Sequence, residues 1–383
     1  MPKLKKVLIT HAMPVNNGDA ALVSALYQLL ISRGFDVSIA SYYYSVVKKK
    51  YPDLPIIREL ADYYFLRKLP FLKPLFMRLN FWLNSNYRNN DVFIACPGGY
   101  VNSYYQLEYA LLPLRLAHNY GKKTAIYSQS VGPFDLNDGK LFSAASKFID
   151  KVLVRDEYSM QTMKQINYPG DYFQTKDAAF LLKEVKTERQ KSKKVAVSVR
   201  EWNFDERDMS HYVDMMSTIC AQLIEKGYCI EFLSTCQGVP GYKDDSKTAV
   251  KIQENLAEKF NIQKGVTVDS SYYNLEDLMS KLKEFDFVVG TRLHMCILSW
   301  VCSVPALNIS YEVKGKECYK YLGIPKYSID FNENVEQAAG ICNDFISEID
   351  AIKDEVNSRV DSIRIEGNND FEKFIDSMGL SDN

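Results

Sequence analysis

The sequence predicts an α/β protein in which short buried strands alternate with helices. Short apolar runs, such as residues 7–10 and 92–96, stop at loops rich in glycine, asparagine or proline, as the strands of a parallel sheet do. Stretches with helical periodicity follow them, and one, at residues 20–32, ends just before Gly34. Because the alternation begins again near residue 195, we expect two Rossmann-like domains that face one cleft.

Chain length and one charged run set the expected domain boundaries. A chain of 383 residues is long for a single hydrophobic core. The run KEVKTERQKSKK at residues 183–194 is typical of a linker because it is polar and highly charged. The expected parts are an N-terminal Rossmann-like domain at 1–187, a C-terminal Rossmann-like domain at 188–334, and a tail at 335–383 whose helices, at 335–364 and 370–378, pack back across the domains.

The composition excludes several functional classes. The 47 basic and 48 acidic residues give a net charge of −1, so no overall field attracts nucleic acid. No apolar run approaches the roughly 18 residues that a membrane span requires. The eight cysteines form no CxxC pair and no Cys/His ligand spacing. We therefore expect reduced thiols, no metal site and a cytoplasmic location.

Charged side chains follow two predicted strands in the C-terminal half. An apolar run at residues 285–289 stops at Gly290, and Arg292 and His294 come directly afterwards. A second predicted strand, at 305–310, precedes Lys314. In open α/β sheets, ligands bind outside the carboxyl ends of the strands. The sequence therefore predicts a site there for a small, doubly anionic molecule to which a proton is delivered.

Two more arginines follow apolar runs. Arg155, Arg200 and Arg292 are all in this position, and burying such a charge is costly without an anionic partner. Arginine also suits bidentate contacts to carboxylate and phosphate. Ordinary ion pairs with the protein's own carboxylates remain the alternative interpretation.

Polar and glycine-rich turns follow the predicted strands of the N-terminal half. Such turns place backbone N–H groups at helix N-termini and let a ligand approach the backbone closely. Helix capping by Asn17 or Asp19 needs no ligand and stays open as an explanation. The candidate residues in these turns are Asn16, Asn17, Asp19, Gly98, Gly99 and Ser130.

One stretch differs from the rest of the chain. Residues 48–90 carry nine basic and three acidic side chains, a local net charge of +6. Within them, residues 65–83 mix large apolar and cationic side chains, and two prolines exclude a spanning helix. Two interpretations stay open: a peripheral contact with an anionic membrane, or a pair of amphipathic helices packed on the domain.

The GTRLH sequence at 290–294, the strand after Pro305 and the Tyr311-x-x-Lys314 ending together resemble the polysaccharide pyruvyl transferase family. One departure is Cys96-Pro97-Gly98-Gly99, where members often have a third glycine. Weaker similarities lie at Asn17-Gly18-Asp19, Gly98-Gly99, Ser130-Val131-Gly132-Pro133, Val154-Arg155-Asp-x-x-Ser159 and Arg200.

The resemblance implies a GT-B-like fold and transfer of the pyruvyl carbons of phosphoenolpyruvate onto two hydroxyls of a sugar. The products are a cyclic ketal and phosphate, and no metal or organic cofactor is required. By resemblance, the turns of the N-terminal half face the acceptor sugar. For the proton that this chemistry needs, His294, with Arg292 beside it, is the general acid that the residues favour. In bacterial members of the family the acceptor is often linked to a lipid, so the resemblance leaves open a surface-polysaccharide precursor carried on polyprenyl diphosphate. The residues suited to clamp phosphoenolpyruvate are Arg155, Arg200, Arg292 and Lys314.

Two other function classes stay open at this point. A GT-B glycosyltransferase or epimerase would bind a nucleotide sugar, with carboxylates near the ribose. A non-catalytic saccharide-binding protein would bind glycan without releasing phosphate from phosphoenolpyruvate.

Overall fold

The computed structural model describes residues 5–183, 192–202 and 208–381. These form two compact units. The first unit takes the described residues of 1–15, 19–182 and 364–383, and the second takes those of 16–18 and 183–363. Most of the linker predicted at 183–194 lies outside the described residues.

Unit 1 is built on one parallel sheet. Its strand order is β3-β2-β1-β4-β6-β7-β8, and β5 pairs with β6. Its strands are β1 (Lys6–Ala12), β2 (Asp36–Ser41), β3 (Ile56–Arg58), β4 (Val92–Ala95), β5 (Gly98–Val101), β6 (Lys123–Val131), β7 (Lys151–Val154) and β8 (Tyr172–Gln174). Its helices are α1 (Asn17–Ser32), α2 (Tyr44–Lys50), α3 (Tyr64–Lys68), α4 (Lys73–Leu83), α5 (Ser85–Arg88), α6 (Leu107–Asn119), α7 (Leu136–Ala145) and α8 (Glu157–Gln165), with 3₁₀ turns at Pro70–Leu72 and Ala178–Leu181.

Unit 2 is built on a second parallel sheet, with strand order β11-β10-β9-β12-β13-β14. Counted from β9 as the first strand, this is the 3-2-1-4-5-6 order of the doubly wound fold. Its strands are β9 (Lys194–Ser198), β10 (Cys229–Phe232), β11 (Val266–Val268), β12 (Phe287–Gly290), β13 (Ala306–Ser310) and β14 (Ser328–Asp330). Its helices are α9 (Met209–Glu225), α10 (Ser246–Phe260), α11 (Leu275–Leu282), α12 (Leu293–Val301) and α13 (Val313–Tyr321), with a 3₁₀ turn at Pro325–Tyr327. The last helix, α14 (Val335–Ser377), belongs to unit 2 up to residue 363 and to unit 1 from residue 364.

The central strands of both sheets are buried on both faces, which explains their continuous apolar sequences. In β4 every residue of Val92–Ala95 is buried, and so is every residue of Phe287–Gly290 in β12. Helices cover both faces of such sheets. The strand ends are therefore the accessible places for polar side chains.

The C-terminal tail is one helix rather than the two that were predicted. α14 runs unbroken from Val335 to Ser377. The predicted break contained Gly367, but this glycine serves close packing instead. A Cβ at Gly367 would lie 2.6 Å from Cδ2 of Leu181, so the missing side chain lets the helix approach its neighbour in unit 1.

Candidate functional site at the strand ends of unit 2

The candidate site lies where the strand order of unit 2 reverses. β9 and β12 are neighbours at this point, and their carboxyl ends meet at one edge of the sheet. Loops after such a pair diverge to opposite faces and leave a crevice in which ligands bind. Arg200 follows β9, whereas Arg292 and His294 follow β12, and Lys314 follows the next strand, β13. The fold thus brings four predicted residues to one edge.

Arg292 is buried and paired with a carboxylate of its own unit. Its Nε donates to Oδ2 of Asp245 at 2.7 Å, and its Nη2 donates to Oδ1 at 2.6 Å. Ser234 Oγ also donates to Oδ2 of Asp245, at 2.5 Å. Burial alone would lower the pKa of the guanidinium, but Asp245 outweighs it and the pKa lies well above its usual value.

This pair corrects one step of the sequence argument. The sequence left two anionic partners open for a buried Arg292, a substrate anion or a carboxylate of the protein, and Asp245 supplies the negative charge. The same holds for Arg155 in unit 1. Its Nη1 donates to Oδ2 of buried Asp177 at 2.8 Å, so a carboxylate of the protein balances its charge. Burial of these two arginines is therefore no argument for a bound ligand.

Arg200 is held mainly by aromatic side chains. Its guanidinium carbon lies 4.8 Å from the ring centroid of Trp202 and 4.4 Å from that of Tyr311. Its Nη1 donates to the Tyr311 hydroxyl, and its Nε is buried with no hydrogen-bond partner among the described residues. Stacking fixes the plane of the guanidinium while leaving donors for an anion.

Two lysines extend the cationic group. Lys314 Nζ lies 2.5 Å from Oε2 of Glu312. Burial raises the pKa of Glu312, but Lys314 and then Arg200 more than offset this, so the pKa lies below its usual value. Lys243 was not predicted. Burial, followed by the charges of Arg200 and Arg292, lowers the pKa of its ammonium group.

The described charges of this group do not cancel. Four cationic side chains face two carboxylates, which leaves a net charge of +2 among the described residues. An anion with two or more negative charges complements this surplus. The cationic members are Arg200, Lys243, Arg292 and Lys314, and the acidic members are Asp245 and Glu312.

His294 lies in the first turn of α12, against the backbone of Gly18. A Cβ placed on Gly18 would come within 2.8 Å of Nδ1 of His294 and 2.9 Å of its Cβ. Only glycine leaves room for the imidazole here. The ring Nε2 is buried, so the side chain is confined in one position at the strand edge.

The Asn16–Gly18 segment clusters with unit 2, although it was predicted to act from the N-terminal domain. Asn17 N–H donates to the carbonyl of Thr235 at 2.8 Å, and its side-chain amide donates to the carbonyl of Tyr273 at 3.0 Å. The Asn16 side chain accepts from Gly18 N–H at 3.0 Å. This network fixes the glycine that contacts His294.

A second group of predicted residues gathers in unit 1. Nε of Arg155 donates to Ser130 Oγ at 2.9 Å, and Ser130 Oγ donates to Asp156 Oδ2 at 2.6 Å. A Cβ on Gly99 would lie 3.5 Å from Nη2 of Arg155. Arg155 thus groups with predicted acceptor residues, and the other three predicted phosphoenolpyruvate ligands belong to unit 2. Gly98 begins β5, and Asp19 lies in the first turn of α1.

Unit 1 also contains a titratable cluster that the sequence did not reveal. The His11 ring packs between Tyr100, with centroids 4.2 Å apart, and Tyr42, at 5.1 Å. The backbone N–H of His11 donates to Oε2 of Glu59 at 2.9 Å. Burial, then Lys73, lowers the pKa of His11 to about 4, while burial raises that of Glu59 to about 7. Its members lie up to 89 residues apart in sequence, so no local pattern marks them.

The polysaccharide pyruvyl transferase family model matches residues 16–313, which is more than half of the chain. The chain belongs to this family. The family predicted from the GTRLH sequence is therefore confirmed.

One relative is the amylovoran biosynthesis protein AmsJ of Erwinia amylovora. It is 26% identical over 286 residues, which cover 67% of this chain. The match spans 66% of the length of that relative.

Solved structures show the same fold at low sequence identity. A putative UDP-N-acetylglucosamine 2-epimerase from Listeria monocytogenes superposes with a TM-score of 0.64 and 10% identity, over 100% of this chain and 98% of that chain. A sucrose-phosphate synthase from Thermosynechococcus elongatus gives 0.61 and 12%, over 98% and 100%. A glycosyltransferase from Rickettsia africae gives 0.64 and 11%, over 99% of each chain. The predicted GT-B-like α/β fold is confirmed.

The described residues contain neither a metal-binding cluster nor a membrane-spanning helix. No three His, Cys, Asp or Glu side chains in those residues are grouped to hold a metal ion. No helix in the described ranges is long and apolar enough to cross a bilayer.

Proposed function

We propose that this protein transfers the pyruvyl group of phosphoenolpyruvate onto two hydroxyls of one sugar in a surface-polysaccharide precursor. A cyclic ketal forms and phosphate leaves. Membership of the family supports a pyruvyl transferase role in polysaccharide synthesis. We further propose that the acceptor is carried on a polyprenyl diphosphate and is met at the cytoplasmic face of the membrane.

The observation that carries the proposal is the cationic surplus at the strand-order reversal of unit 2. Phosphoenolpyruvate bears a phosphate and a carboxylate, and its charge complements the net +2 of the described group. Arg200 and Lys314 contribute directional and point-charge contacts, and Lys243 adds a cation that the sequence did not reveal. The Asp245 carboxylate orients Arg292 rather than occupying the whole group.

The reaction needs one proton donor and one anion clamp. In the proposed reaction, His294 first gives a proton to the methylene carbon of the enol. A sugar hydroxyl then adds to the adjacent carbon. The C–O bond to phosphate then breaks, the phosphate leaves with the electron pair, and the second hydroxyl closes the ring. The hydroxyl protons pass to the imidazole and to the departing phosphate. The cations stabilise the negative charge that develops on that phosphate.

A position in the first turn of α12 suits this role for His294. The N-terminal end of a helix favours an anion, so a substrate phosphate can bind beside the ring. Gly18 fixes the ring so that it can point at one substrate carbon.

Phosphate release from phosphoenolpyruvate tests the proposal. The purified protein is incubated with phosphoenolpyruvate and a series of galactosyl and N-acetylhexosaminyl acceptors. We expect phosphate release only with an acceptor, and its loss in His294→Ala. His118→Ala, on the exposed side of α6, is the matched control and keeps the activity. Consumption of a nucleotide sugar instead, or glycan binding without phosphate release, would contradict the proposal.

A further inference from the structure

A dense group of exposed apolar side chains lies on one stretch of unit 1. Eight of the 17 large apolar side chains that are exposed in the described residues fall within residues 64–83. Exposed apolar patches of this density mark interaction surfaces rather than ordinary protein surface. We call this set the apolar face: Tyr64, Phe65, Leu69, Phe71, Leu75, Leu79, Trp82 and Leu83.

Helix α4 has two apolar sides, and only one of them is packed. Met77 and Phe81 are buried in the core of unit 1. Leu75, Leu79 and Trp82 recur at helical spacing on the other side, and they are 66%, 51% and 54% exposed. A helix that is apolar on all sides is normally enclosed by protein or lipid. The interpretation of this stretch as amphipathic helices packed on the domain therefore explains the buried side of α4. It does not explain the exposed apolar side.

The charged residues within the stretch that carries the apolar face have one sign. Residues 64–83 contain four basic and no acidic side chains. Lys68 and Arg78 are exposed beside the face, with Lys68 Nζ 5.2 Å from the ring centroid of Tyr64. Lys73 turns the other way, and its Nζ lies 4.0 Å from the Tyr109 ring. Apolar side chains bordered by cations suit the interface of a lipid bilayer, where anionic head groups lie over the apolar acyl chains.

This charge pattern argues against a second copy of the chain as the partner. A twofold dimer would bring the same patch against itself, and Lys68 and Arg78 of one copy would lie against the same cations of the other. The leaflet of an anionic bilayer has the complementary charge. Trp82 and Tyr64 also have the ring chemistry that settles at the level of lipid head groups.

We propose that the apolar face is a membrane-binding surface that inserts its side chains among the head groups of an anionic lipid bilayer. Lys68 and Arg78 contact the lipid phosphates, and Trp82 and Leu75 enter the boundary of the acyl chains. The proposal goes beyond the transfer reaction and does not depend on it. It adds the surface by which an enzyme with a lipid-carried acceptor would reach that acceptor.

Vesicle flotation and tryptophan fluorescence together test whether the apolar face binds a membrane. The full chain is mixed with phosphatidylcholine vesicles, with or without about one third phosphatidylglycerol. We expect flotation with the anionic vesicles, weakened by high salt. Trp82 is the exposed tryptophan, since Trp202 and Trp300 are 7% and 1% exposed. Its emission should therefore shift to shorter wavelength when anionic vesicles are added.

Two sets of variants separate the apolar and electrostatic contributions. Phe71→Ser/Leu75→Ser/Leu79→Ser should lower the vesicle partition coefficient by about a thousandfold, since each of the three apolar side chains contributes roughly tenfold when buried. Lys68→Glu/Arg78→Glu should lower it on anionic vesicles by at least roughly fivefold per charge removed. Leu136→Ser is the matched control, because Leu136 is 84% exposed in the same unit but lies outside the face.

Three outcomes would overturn the inference: no flotation of the wild type on anionic vesicles, equal loss in Leu136→Ser, or a dimer in solution that shields Trp82 without lipid. Circular dichroism of each variant confirms that the fold is retained. Binding is measured without substrate, and the triple variant should still release phosphate with a water-soluble acceptor. Failure of vesicle binding is therefore distinct from failure of the proposed reaction.

Discussion

The Arg292 guanidinium and the Asp245 carboxylate form a buried, two-bond ion pair, with Nε to Oδ2 at 2.7 Å and Nη2 to Oδ1 at 2.6 Å. The pair joins the loop after β12 to the start of α10, 47 residues earlier in the chain. It fixes the direction in which the guanidinium presents its remaining donors. The arginine that the sequence assigned to the substrate is thus also part of the structure.

The double role of Arg292 predicts a separation of stability from activity. Asp245→Asn should lower the unfolding free energy by roughly 3–5 kcal/mol, because it leaves a buried charge without its partner. Replacing both groups, in Arg292→Met/Asp245→Leu, should recover most of that loss but leave no phosphate release. Urea denaturation and the phosphate assay measure the two effects. A double variant with wild-type turnover would show that Arg292 has only a structural role.

Gly18→Ala should reduce activity without unfolding the protein. The added methyl group would meet the His294 ring at 2.8 Å and push it from its position. A displacement of about 1 Å costs on the order of a hundredfold in kcat when geometry controls proton transfer. Gly340→Ala is the matched control, because it also lies in a helix and a Cβ there meets nothing within 4 Å. If Gly18→Ala kept full activity, precise placement of His294 would be unnecessary.

Lys243 should contribute to binding of the donor substrate. Its ammonium group lies in the field of Arg200 and Arg292, which together with burial lowers its pKa. Lys243→Met should raise the KM for phosphoenolpyruvate by about tenfold, with a smaller change in kcat, because it removes one cation from the group. Steady-state kinetics at constant ionic strength test this, with exposed Lys264→Met as the control. Equal kinetics in the two variants would remove Lys243 from the site.

His11 should make stability depend on pH. Its pKa is about 4 in the fold, against 6.5 ordinarily, so between these values the unfolded chain binds a proton that the native state does not. The contribution of His11 to the unfolding free energy should therefore rise by up to about 3 kcal/mol between pH 4 and 6.5. Above pH 6.5 this contribution should stay constant. Glu59, Lys73 and the two tyrosines surround the ring, and Glu59 acts in the opposite direction.

Comparison of variants isolates the histidine from its neighbours. His11→Asn should flatten the rise with pH, and asparagine tolerates the φ of 59° at this position. His118→Gln, at an exposed position, should keep the wild-type slope. Denaturation curves at several pH values provide the slopes, and an unchanged slope in His11→Asn would assign the dependence elsewhere.

Local pattern predicted the sheet architecture well, because buried parallel strands leave a strong apolar signal. The strand before the GTRLH sequence was predicted at residues 285–289 and lies at Phe287–Gly290. The strand predicted at 305–310 lies at Ala306–Ser310. The rule that ligands meet the carboxyl ends of strands then placed Arg292, His294 and Lys314 at one edge.

The partners of these residues could not be predicted in the same way. Asp245 lies 47 residues from Arg292, and Thr235 lies more than 200 residues from Asn17. Neither pair leaves a local pattern, since only folding brings them together. The unbroken α14 was missed for a related reason: Gly367 looks like a helix stop until its contact with Leu181 is known.

The fate of the central carbon of phosphoenolpyruvate shows whether the protein forms a pyruvate ketal. The substrate is labelled with carbon-13 at that carbon and incubated with the protein and a sugar acceptor, and the product is examined by NMR. We expect a labelled quaternary carbon bonded to two oxygens of one sugar, formed with one phosphate per ketal and absent with His294→Ala. A label that stays in phosphoenolpyruvate with every acceptor, or a ketal that His294→Ala forms at the wild-type rate, would contradict it.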